Sequence, residues 1–170
     1  MENRTNLKLF ESSYRVNPET VNAVLKQALK NMDKGNRWVK GSWAKAVSTG
    51  AWKVYNNLIK GLSLGIPSET KQGTYHTFVE RYNALTKEEQ QGICFCAEGA
   101  IGLAAAQVIP GFDKTENSGR KIVKAAQDAL REAIGSWSIY MWNDSAGRTY
   151  DDVANAFKKA IRLVNKRATA

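Results

Sequence analysis

The sequence predicts a mainly α-helical chain. Three long stretches repeat apolar residues at spacings of three and four, each opened by a start signal, while alternating polar and apolar stretches are few and short. With 170 residues, 43% apolar and 24% charged, the composition is that of an ordinary globular protein that can bury a core without a staple. One compact helical domain over residues 1–170, built of about five helices, is the expectation.

The first helix begins where Asn17 can cap and Pro18 suits the first helical position, and Val21, Val24, Leu25, Ala28, Leu29 and Met32 line one face up to Gly35. A second runs from Ser118 through Ile122, Val123, Ala126, Ala129, Leu130, Ala133 and Ile134 to Gly135. A third opens at Thr149, has Asp151 and Asp152 at its positive end, and carries Val153, Ala156, Phe157, Ala160, Ile161 and Val164. Thr86-Lys87-Glu88-Glu89 has capping-box spacing, so a helix runs from there, or restarts after Gly92, through Cys96 to about Gln107. Pro110-Gly111 ends it, and Asp113 to Asn117 reads as a loop. A short helix is expected around Trp52 to Leu62, followed by a loop holding Gly65, Pro67 and Gly73. The β content is expected to be small: a strand or irregular arm at Leu7 to Val16 and one short strand at Trp137 to Trp142.

The net charge of +9 is concentrated. Between Lys26 and Lys60 eight basic residues stand against one acid, Asp33. Lys26, Lys30 and Lys34 recur every four residues on one helical face and lead into Arg37, Trp38, Lys40, Trp43, Lys45 and, further on, Trp52. Cations neutralise phosphates and flat rings stack on bases, so these nine residues form a candidate surface for nucleic acid or for an acidic protein. The competing reading makes the lysines a solvated face and the tryptophans core.

Cys96, near a helix start, is a candidate nucleophile with His76 as the one histidine to partner it; the alternative is that both cysteines pack as small apolar residues. Cys94 and Cys96 stand too close in sequence to bond each other well, which suits a reducing cytoplasm. Trp142, Asn143, Asp144 and Arg148 form a candidate ligand loop, although Asn and Asp also organise turns, and Thr149 after them is a cap. The sequence calls for no cofactor, metal or membrane, and assigns no catalytic residue. It holds no phosphate-cradling glycine loop, paired metal-binding histidines or nucleophile elbow. Met1-Glu2-Asn3-Arg4 leads into polar sequence, and the longest mainly apolar run, Ile101 to Ile109, is too short to cross a bilayer, so the expected location is the cytoplasm.

Trp38-x-x-Gly41, Cys96-x-x-Gly99-Ala100 and Trp142-Asn143-Asp144 followed by Arg148-Thr149 and Val153 resemble, in that order, the uncharacterised phage and bacterial domain-of-unknown-function family 6197. The likeness covers about Val21 to Gly41 and Ile93 to Val164, with residues 44–92 as a possible family-specific insertion. It carries no activity to transfer and implies a phage or mobile-element accessory protein. The matching positions also have a scaffold reading: Gly99 and Ala100 admit a neighbouring backbone, while Asn143 and Asp144 satisfy donors at helix ends. The expected function is a binding protein whose basic, Trp-rich surface engages nucleic acid or an acidic host-protein surface. A small enzyme using Cys96 or the Asn143/Asp144 loop, and an assembly component forming a homo-oligomer, are the alternatives.

Overall fold

The computed structural model describes residues 16–63, 72–112 and 116–169. Among them are eight α-helices and a two-stranded sheet: α1 (Pro18–Asn31), β1 (Ala44–Ala46), α2 (Trp52–Ile59), α3 (Gln72–Asn83), α4 (Lys87–Gln91), β2 (Ile93–Phe95), α5 (Ala97–Val108), α6 (Glu116–Ile134), α7 (Ile139–Asp144) and α8 (Tyr150–Ala168). The mainly α class stands. The arm at Leu7 to Val16 lies, but for Val16, outside the described residues, as does most of the loop around Pro67.

The centre of the fold is α5. From Ala97 to Ala105 every residue is buried, which its small side chains permit because neighbouring helices can approach on several sides. The long amphipathic helices α1, α6 and α8 pack on one another, with α5 against α1 and α6, and α3 and α7 complete the surround of α5. Their apolar stripes supply Val24, Leu25, Val123, Leu130, Val153 and Phe157 to one continuous core.

The start signals act as read. The Asn17 side chain accepts from the backbone N–H of Glu19, and Thr149 and Asp152 form a reciprocal capping box at α8, as Thr86 and Glu89 do at α4. The α8 box holds the Asp152 carboxyl below its ordinary range, through the hydrogen bonds from Thr149 and then the nearby Arg148.

Three local expectations change. The segment Trp137 to Trp142 is not a strand: Gly135, at φ 64°, ends α6, and Ser138 Oγ accepts from the Met141 N–H to open α7. In helical register Ile139 and Asn143 fall four residues apart, and both are fully buried. The β structure lies instead at β1 and β2, antiparallel with Ala44 opposite Phe95 and Ala46 opposite Ile93. The lysine repeat also breaks, because α1 stops at Asn31 and Asp33, Lys34 and Gly35 take positive φ angles of 44°, 53° and 95°. Lys34 therefore lies in a left-handed turn, off the helical face of Lys26 and Lys30.

That turn lets the chain double back so that residues 37–39 lie against β2. Phe95 N–H donates to the Arg37 carbonyl at 2.7 Å, and Val39 N–H donates to the Phe95 carbonyl at 3.1 Å. The following Trp43 backbone rests directly on α5. A Cβ at Gly99 would sit 2.1 Å from the Trp43 carbonyl oxygen, an overlap with main chain that only a shift of the strand or the helix could relieve. Gly99→Ala is expected to lower unfolding free energy by about 3 kcal/mol, the upper end for overpacking. A urea midpoint unchanged within error would show that the strand and helix separate freely.

Candidate functional site

The three short motifs meet around one side chain, that of Asn143. Its Oδ1 accepts from the Trp38 indole N–H at 2.8 Å and from the Ala97 N–H, at the start of α5, at 3.2 Å. Its Nδ2 donates to the Val39 carbonyl at 3.2 Å and to Asp144 Oδ1 at 2.8 Å. Asp144 Oδ1 in turn accepts from the Gly41 N–H at 2.9 Å. The carboxamide is fully buried and uses both its donor hydrogens and two acceptor positions inside the protein.

Residues 16–163 match the family of unknown function DUF6197. The chain belongs to that family. No curated protein and no solved structure matches it. Residues 44–92 lie within the matched span and bring Leu58, Phe78 and Tyr82 to the core. In this DUF6197 chain the Trp-x-x-Gly, Cys-x-x-Gly-Ala and Trp-Asn-Asp positions bind one another, so Asn143 acts as an internal tie.

Cys96 is also turned inward. It caps α5, its Sγ accepting from the Gly99 N–H at 3.4 Å. Burial, reinforced by the negative charges of Glu98 and Asp144, pushes the thiol up to about 12, against the helix-end hydrogen bonds that would lower it. A group so placed is a thiol at neutral pH and a poor nucleophile. His76 pairs along α3 with Glu80 at 3.3 Å. Cys94 is buried as well, its pKa raised by desolvation, and its thiol donates to the Lys45 carbonyl at 3.2 Å. Among the described residues no group of three or more His, Cys, Asp or Glu is placed to hold a metal ion, and no helix is long and apolar enough to cross a membrane.

The basic and aromatic segment is divided by folding. Arg37 is buried, its Nε donating to the Ile93 carbonyl at 2.8 Å and its other arm to the Tyr82 hydroxyl, with its guanidinium carbon 5.6 and 5.5 Å from the Tyr82 and Phe95 ring centroids. Burial raises the Tyr82 pKa, with Arg37 opposing. Trp43 packs edge-on against Phe78 and Phe95 at 5.2 and 5.9 Å. Trp38 is tied to Asn143, and Lys40 donates to the Ser145 carbonyl at 2.9 Å. Lys26, Lys30, Lys34, Lys45 and Trp52 remain exposed, Trp52 on α2 with its ring edge-on to Tyr55.

What the sequence reading missed is the partner of Lys26 and Lys30. Helices α1 and α8 run antiparallel side by side: Asn22, early in α1, donates to Asn165, late in α8, while Gly35, past the end of α1, faces Tyr150 at the start of α8. On α8 the residues Lys158, Arg162 and Lys166 recur every four positions and are exposed, with Lys159 beside them. No acid occurs between Glu19 and Asp33 or after Asp152. The signal was present as an acid-free, basic C-terminal stretch.

The ligand-loop residues part company. Asn143 and Asp144 face inward to the tie, whereas Trp142 and Arg148 line an outer cleft. Asn143→Ala would leave the Trp38 and Ala97 donors and the Val39 carbonyl without this partner. At about 1–3 kcal/mol for a stranded buried group, the expected loss is about 3 kcal/mol or more in chemical unfolding. A loss below about 1 kcal/mol would mean that water or a neighbour replaces the carboxamide.

Proposed function

We propose that this DUF6197 protein binds nucleic acid through its phosphate backbone, on the face made by α1 and α8. The observation that carries the reading is the row of exposed cations Lys26, Lys30, Lys158, Arg162 and Lys166 on adjacent helices without an intervening acid. Like charges four residues apart weaken a helix. The helix dipole accounts for Lys166 and Arg167 in the last turn of α8, but its influence does not extend inward to Lys158. Cations four residues apart stand about 6 Å from each other along the axis. That is close to two phosphate steps of about 3.4 Å on one strand.

The tryptophans have a different place in this reading from the one their sequence grouping suggests. Trp38 and Trp43 are engaged within the protein and the exposed Trp52 belongs to α2 rather than to α1 or α8, so contact on this face is electrostatic and tolerant of sequence rather than built on stacked bases. Titrating a labelled DNA duplex at increasing salt tests this. The logarithm of the binding constant should fall linearly with that of salt, with a slope near −4 for four or five phosphate contacts at about −0.9 each. Replacing Lys30, Lys158 and Arg162 together by Gln should weaken binding at least about tenfold, or about 1.4 kcal/mol, with the helical circular dichroism unchanged. Salt-independent binding, or full affinity in the triple variant, would overturn the reading, and binding to acidic protein alone would redirect it.

A second reading, self-assembly, is favoured by a separate feature. Trp137, Met141 and Tyr140 are 81%, 62% and 48% exposed at the corner of α6 and α7. Neighbouring exposed apolar groups of this kind mark contact surfaces. Light scattering across a concentration series should then show an oligomer that Trp137→Ser dissociates; a monomer at every concentration would remove this reading.

A further inference from the structure

Beside the basic face a cleft of about 370 Å³ opens between the end of α6, Trp142 on α7 and the outer side of α8. Its charged lining is Arg148, Lys159 and Arg162 against one carboxylate, Asp152. That carboxylate is already occupied, since its Oδ2 accepts from the Thr149 N–H at 2.9 Å and from the Thr149 hydroxyl at 3.0 Å.

Arg148 is held in place without a ligand. Its guanidinium carbon lies 4.0 Å from the Trp142 ring centroid, and its Nε donates to the Trp142 carbonyl at 3.0 Å. The stack and this bond fix the guanidinium plane, while Nη1 forms a long ion pair with Asp152 Oδ2 at 4.0 Å, too far for a hydrogen bond, which leaves its N–H donors there unspent. A planar fork fixed in this way gives up little freedom on meeting an oxyanion. Lys159 and Arg162, three positions apart on one side of α8, are directed to the same cleft.

We propose that this cleft binds a terminal phosphate monoester, with Arg148 as the planar donor and Lys159 and Arg162 balancing its charge. Three cations against one carboxylate suit a phosphate monoester of about −1.5 to −2 at neutral pH, where an internal phosphodiester carries a single charge. The volume is at the lower end of small-ligand sites, about 300–1,000 Å³, and fits one nucleotide rather than a longer segment. Ala133 and Ile134 add an apolar wall. Lys159 and Arg162 border both cleft and basic face, so a strand lying on that face can present its end here. The inference rests on the nucleic-acid reading for the source of the phosphate; a free nucleotide offers the same chemistry.

The test compares one oligonucleotide carrying a 5′-phosphate, a 3′-phosphate or only hydroxyl ends, measured by anisotropy, with a nucleoside monophosphate followed by NMR. One phosphorylated end should bind about tenfold more tightly than the hydroxyl form. Arg148→Gln should erase that difference, and so should Asn155→Glu, which places an acid at an exposed cleft position and leaves the Trp142 contacts intact. Equal affinity for all three ends overturns the cleft proposal and leaves the basic face standing. If no strand binds, the nucleic-acid reading fails. The cleft is then decided by the monophosphate: saturable binding lost in Asn155→Glu upholds it as a free-nucleotide site, and no binding overturns it.

Discussion

The structure turns on a buried carboxamide. Helix α5 begins inside the protein, so its first N–H groups have no water to meet, and an unpaired buried donor costs about 1–3 kcal/mol. Asn143 meets one of these, Ala97, and Cys96 meets another, Gly99, through its sulfur. Asn143 also receives the Trp38 indole and reaches the Val39 carbonyl. Because the amide oxygen and nitrogen each have two partners, its orientation is fixed by the network. The start of α5, the 38–41 segment and α7 are thereby set relative to one another, and Asp144 extends the same tie to Gly41.

This arrangement explains why short, widely separated motifs occur together in one sequence. The indole, the helix-start N–H and the carboxamide are useful only in combination, since a partly satisfied buried network is worse than an apolar one. Gly99 belongs to the same logic. The Cys96 N–H donates to the Trp43 carbonyl at 3.2 Å, and that carbonyl occupies the space a Gly99 side chain would need. Backbone contact this close requires glycine for reasons of volume, not of conformation.

Legibility in the sequence followed the range of the interactions. Helices α1, α6 and α8 were readable because caps and apolar spacing are local and repeat over several turns. The six-residue α7 offered too few turns to separate a period of 3.6 from one of 2, and its helical register is set by Ser138 and by what Ile139 and Asn143 find inside. Three-residue strands such as β1 and β2 exist only as a pair, across 49 positions for Lys45 and Cys94, and neither half announces itself. The three motifs were visible as residues, but that they share one hub depends on folding. Arg37 was legible as a cation and not as a buried one, because its surroundings, Tyr82 and Phe95, come from elsewhere in the chain.

The same distinction governs the basic region. Grouping along the chain joined cations and tryptophans, and folding sorts them by energy. Burying a tryptophan removes about 150–250 Å² from water, worth about 4–6 kcal/mol at 25 cal/mol per Å². A base stacked on an exposed ring returns about 1–3 kcal/mol. Even half-buried, at about 2–3 kcal/mol each, Trp38 and Trp43 gain as much inside as a stacked base would return, and Trp38 adds its bond to Asn143. Lysine has the reverse preference, since its ammonium keeps its hydration only at the surface. Trp38 therefore joins the tie, Trp43 packs on Phe78 and Phe95, and Trp52 stays exposed on α2, while the cations left outside find their continuation in α8, more than a hundred positions away, rather than among their neighbours in sequence.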